Sequence, residues 1–273
     1  MRPDPAATDP RTKIDTSVAH PARRYDYWLG GKDNFAADRE SGDRIIAVFP
    51  TTRTAALENR RFMRRAVAHI AGQAGIRQFL DVGTGIPTSP NTHEIAQGIV
   101  PDARVVYVDN DPIVLAHARA LLTSSAEGAT AYIDADLYQP DSILNHPDLL
   151  QTLDLSQPVA LMLVAVLHFV PDADNPRGLI EPLIDALAPG SYVVMSHMTH
   201  DFLSSEDAAA VNQVVSSEAL RARPKERFAT FFDGLDLVEP GIVSASEWRA
   251  EDEPQPRPSR SEVSCYGAVA VKR

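Results

Sequence analysis

A chain of 273 residues with 44% hydrophobic content can build one large core, and its composition is not that of a disordered protein. A net charge of −11 argues against a protein that coats nucleic acid or binds anionic membranes. With Cys265 as its only cysteine, the chain has no disulfide framework and no cysteine-based zinc site, which fits a reducing cytoplasm.

Residues 1–18 are rich in Pro, Asp and Thr, lack the apolar run of a signal peptide, and are expected to form a flexible tail. The stretch PARRYDYWLGGKDNFAADRESGDRII then predicts two short helices about Gly30 and Gly31, an N-terminal helical segment over residues 19–53. From Thr54 to Ile70 the pattern is helical. Leu57, Phe62, Val67 and Ile70 fall on one side, and Arg60, Arg61, Arg64 and Arg65 make the rest polar.

After Gly75 strands and helices alternate. IRQFLDV is a strand followed by a glycine loop, NTHEIAQGI a helix, ARVVYVDND a strand, and PIVLAHARALLTSS a helix with Pro112 in its first turn. TAYIDADL and PVALMLVAVLHFV are further strands. The second is apolar throughout, as a strand buried on both faces should be, and too short to span a bilayer. RGLIEPLIDAL is a helix and GSYVVMSHM a fifth strand; residues 202–234 are helical and polar. LDLVEPGIVSASEW and SCYGAVAVKR predict a closing antiparallel hairpin at the sheet edge. The pattern is that of an α/β, Rossmann-like doubly wound sheet of seven strands, mainly parallel, occupying residues 54–273.

In such a sheet ligands bind beyond the C-terminal strand ends. The loop DVGTGIPTSP offers Gly83 and Gly85 for a tight turn. Thr88 stands where a dinucleotide site needs a third glycine, and Asn91 with Glu94 marks a late helix start. A loop that opens with an acid, Asp81, suits a cationic ligand better than a diphosphate, and S-adenosylmethionine carries a sulfonium, an ammonium and no phosphate. Asp109 ends the second strand and is placed to accept hydrogen bonds from both ribose hydroxyls, with Asp111 as the alternative and helix capping as the plainer reading. Asp136 ends the third strand, where an acid can accept from an adenine amino group and Leu137 can pack on the ring; Asp134 competes for that role.

At these residues the chain resembles the class I S-adenosylmethionine-dependent methyltransferases. LDVGTG, VVYVDND, YIDADL and LMLVAVLHFVPD are similar to their first four motifs. PARRYDYWLGGKDNFAADRE resembles the N-terminal signature of a bacterial group of S-adenosyl methyltransferases long classed as a domain of unknown function. The resemblance implies cofactor contacts at Asp81, Gly83, Gly85, Asp109 and Asp136, with Thr84, Asn110 and Leu137 beside them. It implies no substrate, and Pro87 and Pro90 depart from the pattern.

Other candidates carry two readings each. Tyr25, Tyr27 and Trp28 form either a lid over the cofactor or a helix docked on the core. Lys32, Asp33 and Asn34 either reach the methionine end of the cofactor or make a capped turn. The arginines at 60–65 are a solvated face or an anionic-substrate surface. His168, after the fourth strand, is the candidate general base, with His197 and His200 as rivals, unless each is a satisfied polar residue at a strand end. Phe202, Phe228, Phe231 and Phe232 suggest an apolar pocket or plain core. His93–Gln97 lacks the second histidine of a zinc-protease helix, there is no GxSxG elbow, and no metal site is expected. The expected function is methyl transfer to a small-molecule acceptor, without nucleic acid or membrane partners. A non-catalytic sensor of S-adenosylmethionine or S-adenosylhomocysteine is the alternative, and a nicotinamide-dependent dehydrogenase a weaker one.

Overall fold

The structure, a computed structural model, describes residues 15–121 and 123–273; the expected tail lies outside the described residues up to residue 14. Pro21–Trp28 (α1) and Ala36–Val48 (α2) flank the Gly30–Gly31 turn, and Thr52–Gly72 (α3) follows. The alternating part comprises Gln78–Val82 (β1), Thr92–Ile99 (α4), Arg104–Asp109 (β2), Pro112–Leu121 (α5), Ala129–Asp134 (β3), Pro140–Leu144 (α6), Pro147–Thr152 (α7), Ala160–Val164 (β4), Pro176–Asp185 (α8) and Tyr192–Met198 (β5). Ser205–Ser217 (α9), Lys225–Ala229 (α10), Leu235–Leu237 (β6), Val243–Ser244 (β7), Arg260–Val263 (α11) and Cys265–Lys272 (β8) complete the described chain.

The sheet order is β3-β2-β1-β4-β5-β8-β6, with β7 beside β8. The strands β1 to β5 run parallel, and β8 is antiparallel to β5. The period of two along each strand divides the core. Leu80, Val106, Ile133, Leu161 and Val193 face α6, α7 and α8 through Ile143, Leu149 and Ile180. Their neighbours Phe79, Val105, Ala160 and Val194 face α3 and α4 through Phe62, Ile70 and Ala96. Strand order reverses at β1, which lies between β2 and β4, and this places the switch point at the end of the first glycine-bearing strand.

Two local expectations change. The predicted closing strand 235–248 breaks at Pro240, which lacks the N–H a ladder needs, into β6 and β7; both pair with β8, which lies inside the sheet between β5 and β6. On α3 Leu57 is exposed, whereas Glu58 and Asn59 are buried. The arginines of α3 divide: Arg61 and Arg64 are exposed, whereas Arg60 and Arg65 are half-buried. Arg65 donates to the carbonyls of Trp248 and Ala245 and to Glu253, Arg64 pairs with Glu253, and Arg61 with Glu58. A further cluster joins Trp28, Ile45 and Phe49 to Val211, Val215 and Leu220, so the N-terminal helices pack against α9.

Candidate functional site

A cleft of about 220 Å³ opens beyond the ends of β1, β2 and β4. Its floor is the glycine loop. Gly83 has φ +73°, its N–H donates to the Val108 carbonyl at 2.8 Å, and a Cβ there would lie 2.4 Å from Val166 Cγ2. Gly85 has φ +69°, and a Cβ there would meet nothing within 4 Å. The first glycine is thus required by packing, and the second leaves backbone bare to the cleft. The prolines lie in the loop, and α4 starts only at Thr92, with the Glu94 carboxylate accepting from Asn91 N. Asn91 Oδ1 accepts from Thr88 N, and Arg60 donates to the Thr88 and Pro90 carbonyls, which ties the loop to α3.

Three acids ring this floor. Asp81 accepts from Thr92 Oγ1 at 2.6 Å, and burial pushes its pKa up to about 6. Asp109 Oδ2 accepts from Gly85 N at 2.8 Å and Oδ1 from Asp111 N at 2.9 Å; burial raises its pKa against the pull of those bonds. Each carboxylate oxygen can still accept a second donor. Asp136 accepts from Asn110 Nδ2 at 2.8 Å and from Tyr138 N. Asp111 instead caps α5 through Ile113 N and pairs with Arg23 and His20, while Asp134 points to solvent outside the cleft.

The structure brings Asp81, Gly83, Thr84, Gly85, Asp109, Asn110, Asp136, Leu137 and Tyr25 into the lining of one cleft. It does not bring Asn34 there. That side chain donates to Asp26 and the Gly31 carbonyl, and its oxygen accepts from Arg39. Asp26 also accepts from Asp33 N, and a Cβ on Gly31 would lie 1.9 Å from Asp26 Oδ1, so the LGGKDN stretch is a turn wound on a buried carboxylate. Lys32 is exposed. Tyr25 lies on the cleft wall, its hydroxyl donating to the Ala56 carbonyl and accepting from Asn59 Nδ2; burial raises its pKa to about 12. Trp28 packs in the N-terminal cluster, and Tyr27 bonds Asp43 at the surface.

Sequence reasoning missed Asn59 and Met63 of α3 and Ala165, Val166 and Phe169 after β4, and named Arg60 only among the arginines of a solvated or anionic-substrate face; all of these line the cleft. One signal was available: Asn59 lies on the stripe with Phe62, Met63 and Ala66, a polar residue among apolar ones. Its Oδ1 is buried without a partner. Ala165 has φ +58°, a conformation that costs a non-glycine residue energy, held by its N–H donating to Ser196 Oγ.

A second cavity, about 80 Å³, shares Tyr25, Asn59, Ala165 and Phe169 with the cleft as a common wall. His168 lines this cavity and not the cleft. Burial, with His197, Arg24 and Arg223 nearby, holds its pKa well below the usual histidine range, and its Nδ1 has no partner. His197 is fully committed. Arg223 Nη1 donates to its Nε2 at 2.7 Å, its Nδ1 meets the Met198 carbonyl, and burial pushes its pKa down to about 3. His200 lines neither cavity. Phe228, Phe231 and Phe232 are core residues with Phe202 packed against them, in line with the core reading of these phenylalanines.

Among the described residues no helix is long and apolar enough to cross a membrane. No curated protein matches the chain. A DUF574 family protein from Streptomyces avermitilis is 48% identical, over 95% of this chain and 99% of its own, with a TM-score of 0.90. A candidate methyltransferase from Thermobifida fusca is 42% identical, over 98% and 100%, with a TM-score of 0.84. Residues 7–273 match the family described as S-adenosyl methyltransferase. The chain therefore belongs to the S-adenosyl methyltransferase family, and its cofactor is S-adenosylmethionine.

Proposed function

We propose that the cleft at the ends of β1 to β4 holds S-adenosylmethionine and that the protein methylates a small neutral molecule beside it. The observation that carries this reading is the set of three carboxylates around bare Gly85 backbone, an arrangement suited to a cationic nucleoside and hostile to a diphosphate. Asp109 takes the ribose hydroxyls, Asp136 the adenine amino group, and Leu137 one ring face. Asp81 faces the ammonium, and Arg60, the cation of the cleft wall among the described residues, is available to the carboxylate. When bound, the cofactor supplies a methyl group made electrophilic by its sulfonium. The remaining work of the chain is to align an acceptor and exclude water. Family membership favours an enzyme over a non-catalytic sensor.

Calorimetric titration of the wild-type protein tests the reading directly. Micromolar binding of S-adenosylmethionine and S-adenosylhomocysteine with none of NAD is the expected result. A folded protein that binds neither sulfur ligand would remove it.

Asp81 adds a dependence on pH. Its folded-state pKa, about 6, lies above the ordinary 3.8, so between those values the folded protein holds a proton that the unfolded chain has released. Stability of the unliganded protein therefore falls as pH rises through that window. Asp81→Asn is expected to be more stable than wild type at neutral pH, by up to about 3 kcal/mol, with the gap shrinking toward about pH 4. The same variant should bind S-adenosylmethionine roughly tenfold more weakly, one ion pair in a partly buried site being lost. Urea unfolding across pH decides the matter; a gap that does not change with pH would show that Asp81 ionisation is not the cause.

A further inference from the structure

The second cavity is built mainly from elements outside the alternating strands and helices, with Met198 at the end of β5 as the exception. Its walls come from α1, α2 and α3, from the turn after β4, and from the segment that enters β8. Trp28, Ile45, Phe49, Phe169, Met198 and Leu220 make it apolar, and no Asp, Glu, Lys or Arg lines it among the described residues. Two of its lining residues each leave a buried polar atom without a partner: Asn59 Oδ1 and His168 Nδ1, on side chains that are 4% and 8% exposed. Unpaired buried polar atoms are costly; both are covered at the cavity surface, and a turn of either side chain lets a ligand in the cavity satisfy them. Asn59 stands on the wall common to both cavities, its Nδ2 already used on Tyr25.

We propose that this cavity is the methyl-acceptor subsite, and that it selects a neutral, apolar molecule of about single-ring size whose polar group is a hydrogen-bond donor. The proposal rests on the cofactor reading of the neighbouring cleft. Size follows from the 80 Å³ of room. Neutrality follows from the apolar walls, where a charge would be desolvated without a counter-ion. Arg24, behind that wall, lies over the Trp28 and Phe169 rings and pairs with Glu218. The donor follows from Asn59 Oδ1, which can only accept; His168 adds a second acceptor in the tautomer that carries its proton on Nε2. His168 is thus a positioning group that takes a hydrogen bond from the acceptor, in a place where a protonated ring is disfavoured.

The test titrates p-cresol, toluene and p-toluate into wild-type protein saturated with S-adenosylhomocysteine, followed by ligand-observed NMR. The expected order is p-cresol about tenfold tighter than toluene, the worth of one buried hydrogen bond, with p-toluate weakest. Ala56→Phe and, separately, Ala55→Leu should fill the cavity and abolish p-cresol binding while S-adenosylhomocysteine affinity stays within about twofold. His168→Leu should narrow the gap between p-cresol and toluene. Equal or tighter binding of p-toluate, or p-cresol binding untouched by both filling variants, would overturn the proposal. Normal S-adenosylhomocysteine binding with no p-cresol binding would overturn it alone. Wild-type protein that binds no S-adenosylhomocysteine would overturn the cofactor reading, and this one with it.

Discussion

Asp109→Ala is expected to lower the affinity for S-adenosylhomocysteine at least ~100-fold, the largest loss of any single site residue. Two effects act together. Asp109 is the acid we propose for the ribose, and a hydrogen bond to a charged group contributes about 1.5–3 kcal/mol, so losing two removes roughly 3 kcal/mol or more. The same carboxylate also accepts from Gly85 N and Asp111 N, one on each oxygen. Alanine leaves both amides unpaired, and the loop loses the anchor that shapes it. Asp109→Asn separates the two effects, because its one acceptor oxygen satisfies one amide while its NH₂ opposes the other. Calorimetry should therefore rank wild type, then Asn, then Ala in affinity. An alanine variant with unchanged affinity would place the ribose elsewhere.

Gly83→Ala should be severely destabilising although it adds one methyl group. That methyl would lie 2.4 Å from Val166 Cγ2, on a backbone held at φ +73°. Overpacking of this kind costs about 1–3 kcal/mol, and the left-handed conformation roughly 1–2 kcal/mol more for an L side chain. A combined cost of about 2–5 kcal/mol corresponds to a fall in melting temperature on the order of 5–15 °C for a chain of this size. The steric part should be recoverable. Val166→Ala removes both Cγ atoms, so Gly83→Ala/Val166→Ala should regain much of the loss and keep only the conformational part. If the double variant is no more stable than Gly83→Ala, the Val166 contact is not the cause. Gly85→Ala, facing open space, should show the conformational cost alone, with its methyl group in the cleft.

The parts of the site that could be read from sequence are those where position along a strand decides position in space. Asp81, Asp109 and Asp136 each follow an apolar run. In a parallel sheet every such run ends on the same edge, so three acids far apart in the chain meet at one cleft. The late start of α4 was readable for a similar reason, since Asn91 and Glu94 are three residues apart and interact locally.

The misread parts depend on partners distant in the chain. Asn34 looked free to reach a ligand, but Asp26 and Arg39 occupy it. Arg65 of α3 looked solvated, but Glu253 and the Ala245 and Trp248 carbonyls, 180 to 188 residues later, receive it. His197 looked like a rival base, but Arg223 fixes its tautomer.

The sequence by itself determined the doubly wound sheet, its order of strands and helices, and the acids at its edge, because hydrophobic period and strand-end position are local properties of the chain. Only the tertiary structure decided which face of α3 meets the cleft, that Asn59 and His168 share a second cavity, and that α1 and α2 wall it. Those outcomes depend on how helices dock, and docking is set by side-chain fit between segments that share no local pattern.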